Sequence, residues 1–134
     1  MILLGTNSKS LSNFRGSLIK LLIDKGVSVT VASSRPSNKS LQLWEDIDIN
    51  YETITLKRNG LNFLYDIKTL IDIFILFKKM KTSMVLAYGI KLVIWGGVSA
   101  RIACVPFFAL ITGLGFAFQG DSFKRKFLSK LVVF

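Results

Sequence analysis

What most constrains the fold of this chain is a rhythm of two periodicities. Short β-branched or apolar runs of strand length alternate with longer stretches that repeat their apolar residues every three to four positions. "ILLG" (2–5) is followed by "NFRGSLIKLLIDKG", which puts Phe14, Leu18, Leu21 and Leu22 on one helical face, and then by "VSVTVAS" (27–33). Ser12 or Asn13 is placed to cap that first helix by accepting a backbone N–H, and Gly26 to end it in the left-handed conformation. After the polar loop "SSRPSNKS", "LQLWEDI" reads as a short helix or turn, "INYETITL" as an alternating strand and "KRNG" as a turn. Residues 61–80 form a long helix with Phe63, Ile67, Leu70, Phe74 and Phe77 at helical spacing. Its cationic end at Lys78, Lys79 and Lys81 suits the helix dipole. "SMVLAY" is a buried strand, and in the helix "GIKLVIWGGVSARIACV" the residues Gly96, Gly97 and Ala100 permit close packing on a sheet. "FFALI" is the fifth strand.

Strands that are nearly all apolar and alternate with helices specify a parallel sheet covered on both faces. The expected fold is therefore α/β: a Rossmann-like parallel sheet of about five strands flanked by helices. At 134 residues the chain makes one such domain, residues 1–134. Open sheets of this kind bind ligands beyond the carboxyl ends of their strands, near the switch in strand order. "GTNSKSLSNFRG", "YGIK" and "TGLGFAF" all follow strands at that edge.

Composition narrows the chemistry. With 51% hydrophobic residues and a mean hydropathy of +0.49 the chain is too apolar to be disordered. Up to Asp72 there are nine Lys and Arg against seven Asp and Glu, and from Ile73 onward nine against one, Asp121. The second half therefore attracts anions such as phosphates or an anionic membrane surface. Cys104 is the single cysteine, so no internal disulfide forms, and no CxxC pair is present to hold a metal. Histidine is absent, which removes the commonest general base. The first ten residues lack the basic segment and long apolar core of a signal peptide. The apolar stretches 70–77 and 102–118 are too short or too interrupted for a membrane span. A cytoplasmic setting is expected.

The strand-end loops carry the candidate site. Gly5 and Gly16 do not make a GxGxxG fingerprint, so dinucleotide binding is not indicated. The loop after the first strand offers Asn7, Ser8, Lys9, Ser10, Ser12 and Asn13 as hydrogen-bonding groups, with Arg15 just inside the helix. Either this is an anion site at a helix N-terminus, or Asn13 only caps and Arg15 is solvated. In "TGLG", Gly113 and Gly115 allow backbone amides to approach a phosphate or sugar, or they simply make a turn. Phe116 and Phe118 either line a pocket or enter the core. In "DSFKRKFLSKLVVF", Phe123, Phe127, Leu128 and Leu131 share one side, with Lys124, Arg125, Lys126 and Lys130 largely elsewhere. Such a basic amphipathic helix lies in a membrane interface or packs on the sheet.

Taken together, "NFRGSLIKLLIDKGVSVTV", "KRNGLN" before a long helix, "YGIKLVIWGGVSARIACVP" and "ITGLGFAF" resemble the N-terminal domain of bacterial family-four glycosyltransferases of the two-domain GT-B fold. The resemblance covers nearly the whole chain. It implies retaining transfer of a sugar from a nucleotide-sugar donor to an acceptor, often a lipid-linked glycan at the cytoplasmic membrane face, in surface-polysaccharide or O-antigen synthesis. The N-terminal domain of such enzymes chiefly holds the acceptor. The donor-binding C-terminal domain, absent here, is expected as a separate piece or partner chain, so this polypeptide is expected to be a fragment or split subunit, inactive alone. Asn13, Arg15, Gly16, Tyr88 and Lys91 match the acceptor-binding positions. Thr112, Gly113, Leu114, Gly115, Phe116 and Phe118 match the cleft loop. Membrane contact would fall to Lys124, Arg125, Lys126, Phe127 and Lys130. No cofactor or metal is implied, the nucleotide sugar being a substrate. The pattern departs at Leu92, where relatives have Pro, and at Thr112, where many have His.

Two other functions fit parts of this pattern. A non-catalytic, membrane-recruiting subunit of a two-chain transferase would leave an apolar face exposed near residues 116–134. A nucleic-acid-binding module is disfavoured, because the aromatics sit in apolar runs rather than among Lys and Arg.

Overall fold

The computed structural model describes residues 1–36, 38–57 and 62–111, apart from the side chains of Phe14 and Ser40. Among the described residues, five parallel strands and four helices follow one another in the anticipated alternation. They are β1 (Ile2–Leu4), α1 (Ser8–Asp24), β2 (Thr30–Ser33), α2 (Asn38–Glu45), β3 (Asn50–Thr53), α3 (Phe63–Lys79), β4 (Val85–Tyr88), α4 (Ile90–Ala103) and β5 (Phe107–Leu110). The sheet order is β3-β2-β1-β4-β5, with Leu3 opposite Val31 on one side and Leu86 on the other. Every pairing is parallel. The order reverses between β1 and β4, which makes their carboxyl ends the switch point.

Strand alternation divides the core into two layers. Ile2 and Leu4 of β1 and Val85 and Ala87 of β4 pack with Ile73, Leu76 and Phe77 of α3 and with Leu92 and Ala100 of α4. Leu3, Val31 and Tyr88 face the other way, against Leu11 and Ile19 of α1 and Trp44 of α2. Gly96 lets α4 settle on the sheet: a Cβ there would lie 3.0 Å from Leu4 Cδ1 and 3.3 Å from Phe107 Cε2. Gly26 has φ +78° and ends α1 as anticipated.

Two expectations fail at the level of faces and caps. The cap of α1 is Asn7, not Ser12 or Asn13: its side chain accepts from Ser10 N at 2.7 Å, and the helix starts well before either residue. The polar stretch 8–13 is helical because it is anchored from outside. Leu11 is fully buried, and Ser8 Oγ accepts from Trp44 Nε1 at 2.8 Å. The buried face of α1 is accordingly centred on Leu11 and Ile19, while Leu21 is exposed.

The long helix is turned as well. Asp66, Thr69, Ile73, Leu76 and Phe77 are its buried residues, whereas Phe63 and Ile67 face solvent. Polar side chains occupy the inner face because each has a partner there. Thr69 Oγ1 donates to Thr55 O at 2.6 Å, and Lys91 Nζ donates to Asp66 Oδ1 at 3.1 Å.

Candidate functional site

At the switch point the loops after β1 and β4 touch. Gly5 is buried against α1 and β4, so that a Cβ there would lie 2.5 Å from Leu11 Cγ and 2.7 Å from the Tyr88 hydroxyl. Gly89, with φ +90°, sits against Thr6, whose Cγ2 would be 2.5 Å from a Cβ. Side chains at either position would push the two loops apart. Both α1 and α4 begin at this carboxyl edge of the sheet, directly after β1 and β4. Asn7 caps the first, whereas Gly89 offers the second no side-chain cap. Uncapped amides of this kind suit an anion.

Two residues selected from sequence meet beside this edge. The Tyr88 ring points to the α1 side, its hydroxyl donating to Ser10 Oγ at 3.2 Å, and the Arg15 guanidinium carbon lies 5.3 Å from the ring centroid. Burial raises the Tyr88 pKa, with the Ser10 hydrogen bond and the Arg15 charge opposing that shift. The phenol is therefore a neutral hydrogen-bonding group here, with a cation over its face.

Lys91 lies on the opposite side of the sheet, in the α3–α4 layer. Its ammonium donates to Asp66 Oδ1 at 3.1 Å and to Lys57 O at 2.9 Å, tying α4 to α3 and to the segment after β3. The spacing Tyr-x-x-Lys thus straddles the sheet instead of converging. Asn13 and Gly16 lie within α1 and not at its start. With α1 starting at Ser8, Asn13 is an exposed residue in the second turn, and Gly16 lies deep in the helix, where an added Cβ would meet nothing within 4 Å. Neither is at the strand ends. Thr112, Gly113, Leu114, Gly115, Phe116 and Phe118, and Lys124, Arg125, Lys126, Phe127 and Lys130, lie outside the described residues.

A concavity, not anticipated, opens at the ends of β2 and β3. It has a volume of about 410 Å³ and is lined by Ser34, Arg35, Thr53, Ile54, Thr55 and Leu56. That is within the range of small-molecule clefts. Ser34 Oγ donates to Thr6 O at 3.0 Å, which ties this wall of the cleft to the loop after β1. Tyr51 braces that wall, pairing with Ser33 Oγ and donating to Ser34 O at 2.8 Å. Thr55 N is fixed by Asp72 Oδ2 at 3.0 Å. Hydroxyls, two aliphatic side chains and one exposed arginine make a surface suited to a polyhydroxylated, anionic ligand. The sequence signal was the hydroxyl-rich "SSRPS" after a strand, which reads equally well as an ordinary polar loop. Among the described residues no group of three His, Cys, Asp or Glu is placed to hold a metal.

Solved structures that share this fold include two that align over nearly the whole of this chain. MurG from Acinetobacter baumannii superposes with a TM-score of 0.66 at 19% identity, over 97% of this chain and 38% of its own. The UDP-GlcNAc 2-epimerase from Neisseria meningitidis, bound to UDP-GlcNAc, gives 0.61 at 12% identity, with the same coverage of 97% and 38%. The chain therefore spans well under half the length of either neighbour, and its fold is that of a GT-B type domain such as the N-terminal one of MurG. No protein-family model matches the sequence, and no curated protein is significantly similar.

Proposed function

We propose that this chain is the acceptor-binding half of a glycosyltransferase, an enzyme that passes a sugar from a nucleotide-sugar donor to a lipid-linked or polysaccharide acceptor. The observation that carries the reading is the cleft at the ends of β2 and β3, set in a domain whose fold is shared with the glycosyltransferase MurG. Arg15 over Tyr88 and the exposed Arg35 offer cations to a diphosphate. Ser34, Thr53 and Thr55 offer hydroxyls to a sugar. Donor binding falls to a second domain or a partner chain, for which the uncovered length of the neighbours gives precedent. The family-four assignment, O-antigen or other surface-polysaccharide synthesis, and a place at the inner face of the cell membrane belong to the same proposal.

Calorimetric titration with a short-chain prenyl-diphosphate-linked sugar tests it. Arg35→Ala and Arg15→Ala are each expected to weaken binding about tenfold or more, the scale of one hydrogen bond to a charged group. Failure of the unaltered chain to bind any such carrier, or binding indifferent to both arginines, refutes the reading. A non-catalytic, membrane-recruiting subunit is the second reading, favoured by the exposed apolar side chains of α3. It predicts vesicle binding without affinity for the glycan carrier.

A further inference from the structure

The edge strand β3 contributes one side chain to the layer of α1 and α2. Asn50 and Thr53 are exposed and Glu52 pairs with Lys79 at 3.0 Å, whereas Tyr51 packs against the cluster of Leu11, Ile19 and Trp44. Tyr51 stands opposite Val31, and its hydroxyl reaches Ser33 and Ser34 at the carboxyl end of β2.

That hydroxyl is the hub of a chain of hydrogen bonds with a fixed direction. Trp44 Nε1 can only donate, and it donates to Ser8 Oγ at 2.8 Å. The Ser8 hydroxyl in turn bonds to the Tyr51 hydroxyl, as does Ser33 Oγ. The single phenolic proton goes to Ser34 O at 2.8 Å. Ser8, Ser33 and Trp44 are buried, so each depends on its neighbour for a partner. The loop after β1, the helix α2 and the loop after β2 are thereby held by one oxygen atom.

The chain of bonds ends on a peptide group of the cleft. Ser34 O and the Arg35 N–H share one plane, so fixing the carbonyl fixes the start of Arg35. Pro36 follows and confines Arg35 to extended backbone. Ser34 Oγ holds the same turn from its other side through Thr6 O. Arg35 itself is exposed, lines the cleft and belongs to neither ion pair found among the described residues. A cation on a pre-set backbone loses less freedom on meeting an anion than one on a loose loop, and binds it more tightly.

We infer that Tyr51 is the positioning residue of the cleft: its hydroxyl locks the Ser34–Arg35 peptide and so presents the Arg35 guanidinium to the anionic group of the ligand. Tyr51 is not a lining residue, and acts only through Arg35. The inference rests on the acceptor reading for the identity of the ligand, while the locking of Arg35 concerns this chain alone.

Backbone 15N relaxation of the full chain, together with calorimetric titration of the short-chain prenyl-diphosphate-linked sugar, tests it. In the unaltered chain the Ser34 and Arg35 amides should show the order parameters of rigid backbone, about 0.85. Tyr51→Phe removes one oxygen. It is expected to lower both order parameters toward about 0.6 and to weaken carrier binding about fivefold, the scale of one hydrogen bond. In the Arg35→Ala background the same change should weaken binding by less than about twofold, because the two residues act in series. Ser33→Ala, a smaller change at the same hub, should move both readouts in the same direction. Ser99→Ala is the control: Ser99 is fully buried between α3 and α4 and donates to Leu70 O at 3.0 Å, so a comparable bond is lost elsewhere and both readouts should stay unaltered. The inference is overturned if Tyr51→Phe leaves the two amides rigid, if it loosens them without weakening carrier binding, or if its effect adds in full to that of Arg35→Ala. An equal effect of Ser99→Ala also overturns it. Where the unaltered chain binds no carrier, the acceptor reading fails and the order parameters alone decide: loosening by Tyr51→Phe upholds the inference, and unchanged rigidity refutes it.

Discussion

Replacing Lys91 by Met keeps most of the side chain's volume and removes its charge from a pair in which both members are largely sheltered. The lysine and aspartate side chains are 20% and 8% exposed, and Nζ lies 3.1 Å from Oδ1. At that separation, with an effective dielectric near 20, the gross attraction is about 5 kcal/mol. Desolvation of both groups offsets much of this, so the pair's net contribution is small, whereas stranding either charge is costly. Lys91→Met and Asp66→Asn are each expected to destabilise the fold by about 3 kcal/mol. The double variant should cost about 2 kcal/mol less than the sum of the two, the mark of residues that act through each other. Urea unfolding followed by circular dichroism measures all three, and unchanged slopes would confirm that the folded and unfolded ensembles are comparable. The acceptor-contact role expected for Lys91 from sequence predicts the opposite: near-native stability and lost ligand affinity. Additivity within about 0.5 kcal/mol would refute the clamp between α3 and α4.

Two glycines of the first loop and helix should respond to alanine with opposite signs. Gly5→Ala meets Leu11 and the Tyr88 hydroxyl at 2.5–2.7 Å and should cost about 1–3 kcal/mol, lowering Tm by several degrees. Gly16→Ala meets nothing within 4 Å in the middle of α1 and should stabilise by about 0.5–1 kcal/mol; thermal melts that move both variants the same way would contradict this packing. Alkaline pH should also act on the fold through two tyrosines. Burial is the leading cause that raises the pKa of both Tyr51 and Tyr88 above 10.0, so the folded state holds these protons more tightly than the unfolded chain. Their contribution is complete below the unfolded value and is lost as pH climbs through the raised folded values. Between about pH 9 and pH 11 the stability of Tyr51→Phe with Tyr88→Phe should therefore fall less steeply than that of the unaltered chain, and equal slopes in urea unfolding would exclude the effect.

The class of this fold and the order of its elements are written in the residues themselves. Period-two and period-3.6 patterns are local properties, and "ILL", "VAS" and "VLAY" are short apolar runs suited to strands covered on both faces, whereas Phe108 of "FFAL" is 54% exposed at the edge of the sheet. Gly26 and Gly96 were legible for the same reason, since an end of a helix and a close approach each demand the smallest residue. Arg15 and Tyr88 could be selected because they flank strand-end loops, where the topology places ligands.

Which side of each helix is inside was settled by packing across the chain. Residues 63–77 are apolar around most of the helix, so periodicity supports several faces, and the choice fell to long-range hydrogen bonds, Thr69 to Thr55 and Asp66 to Lys91. The start of α1 at Ser8 depends on Trp44, a residue 36 positions away. The cleft at Arg35 exists because β2 and β3 end side by side with Tyr51 bracing the loop between them. Distant polar partners of this kind leave no periodic trace, which is why the contacts of Lys91 with Asp66 and Lys57 are visible only in the fold.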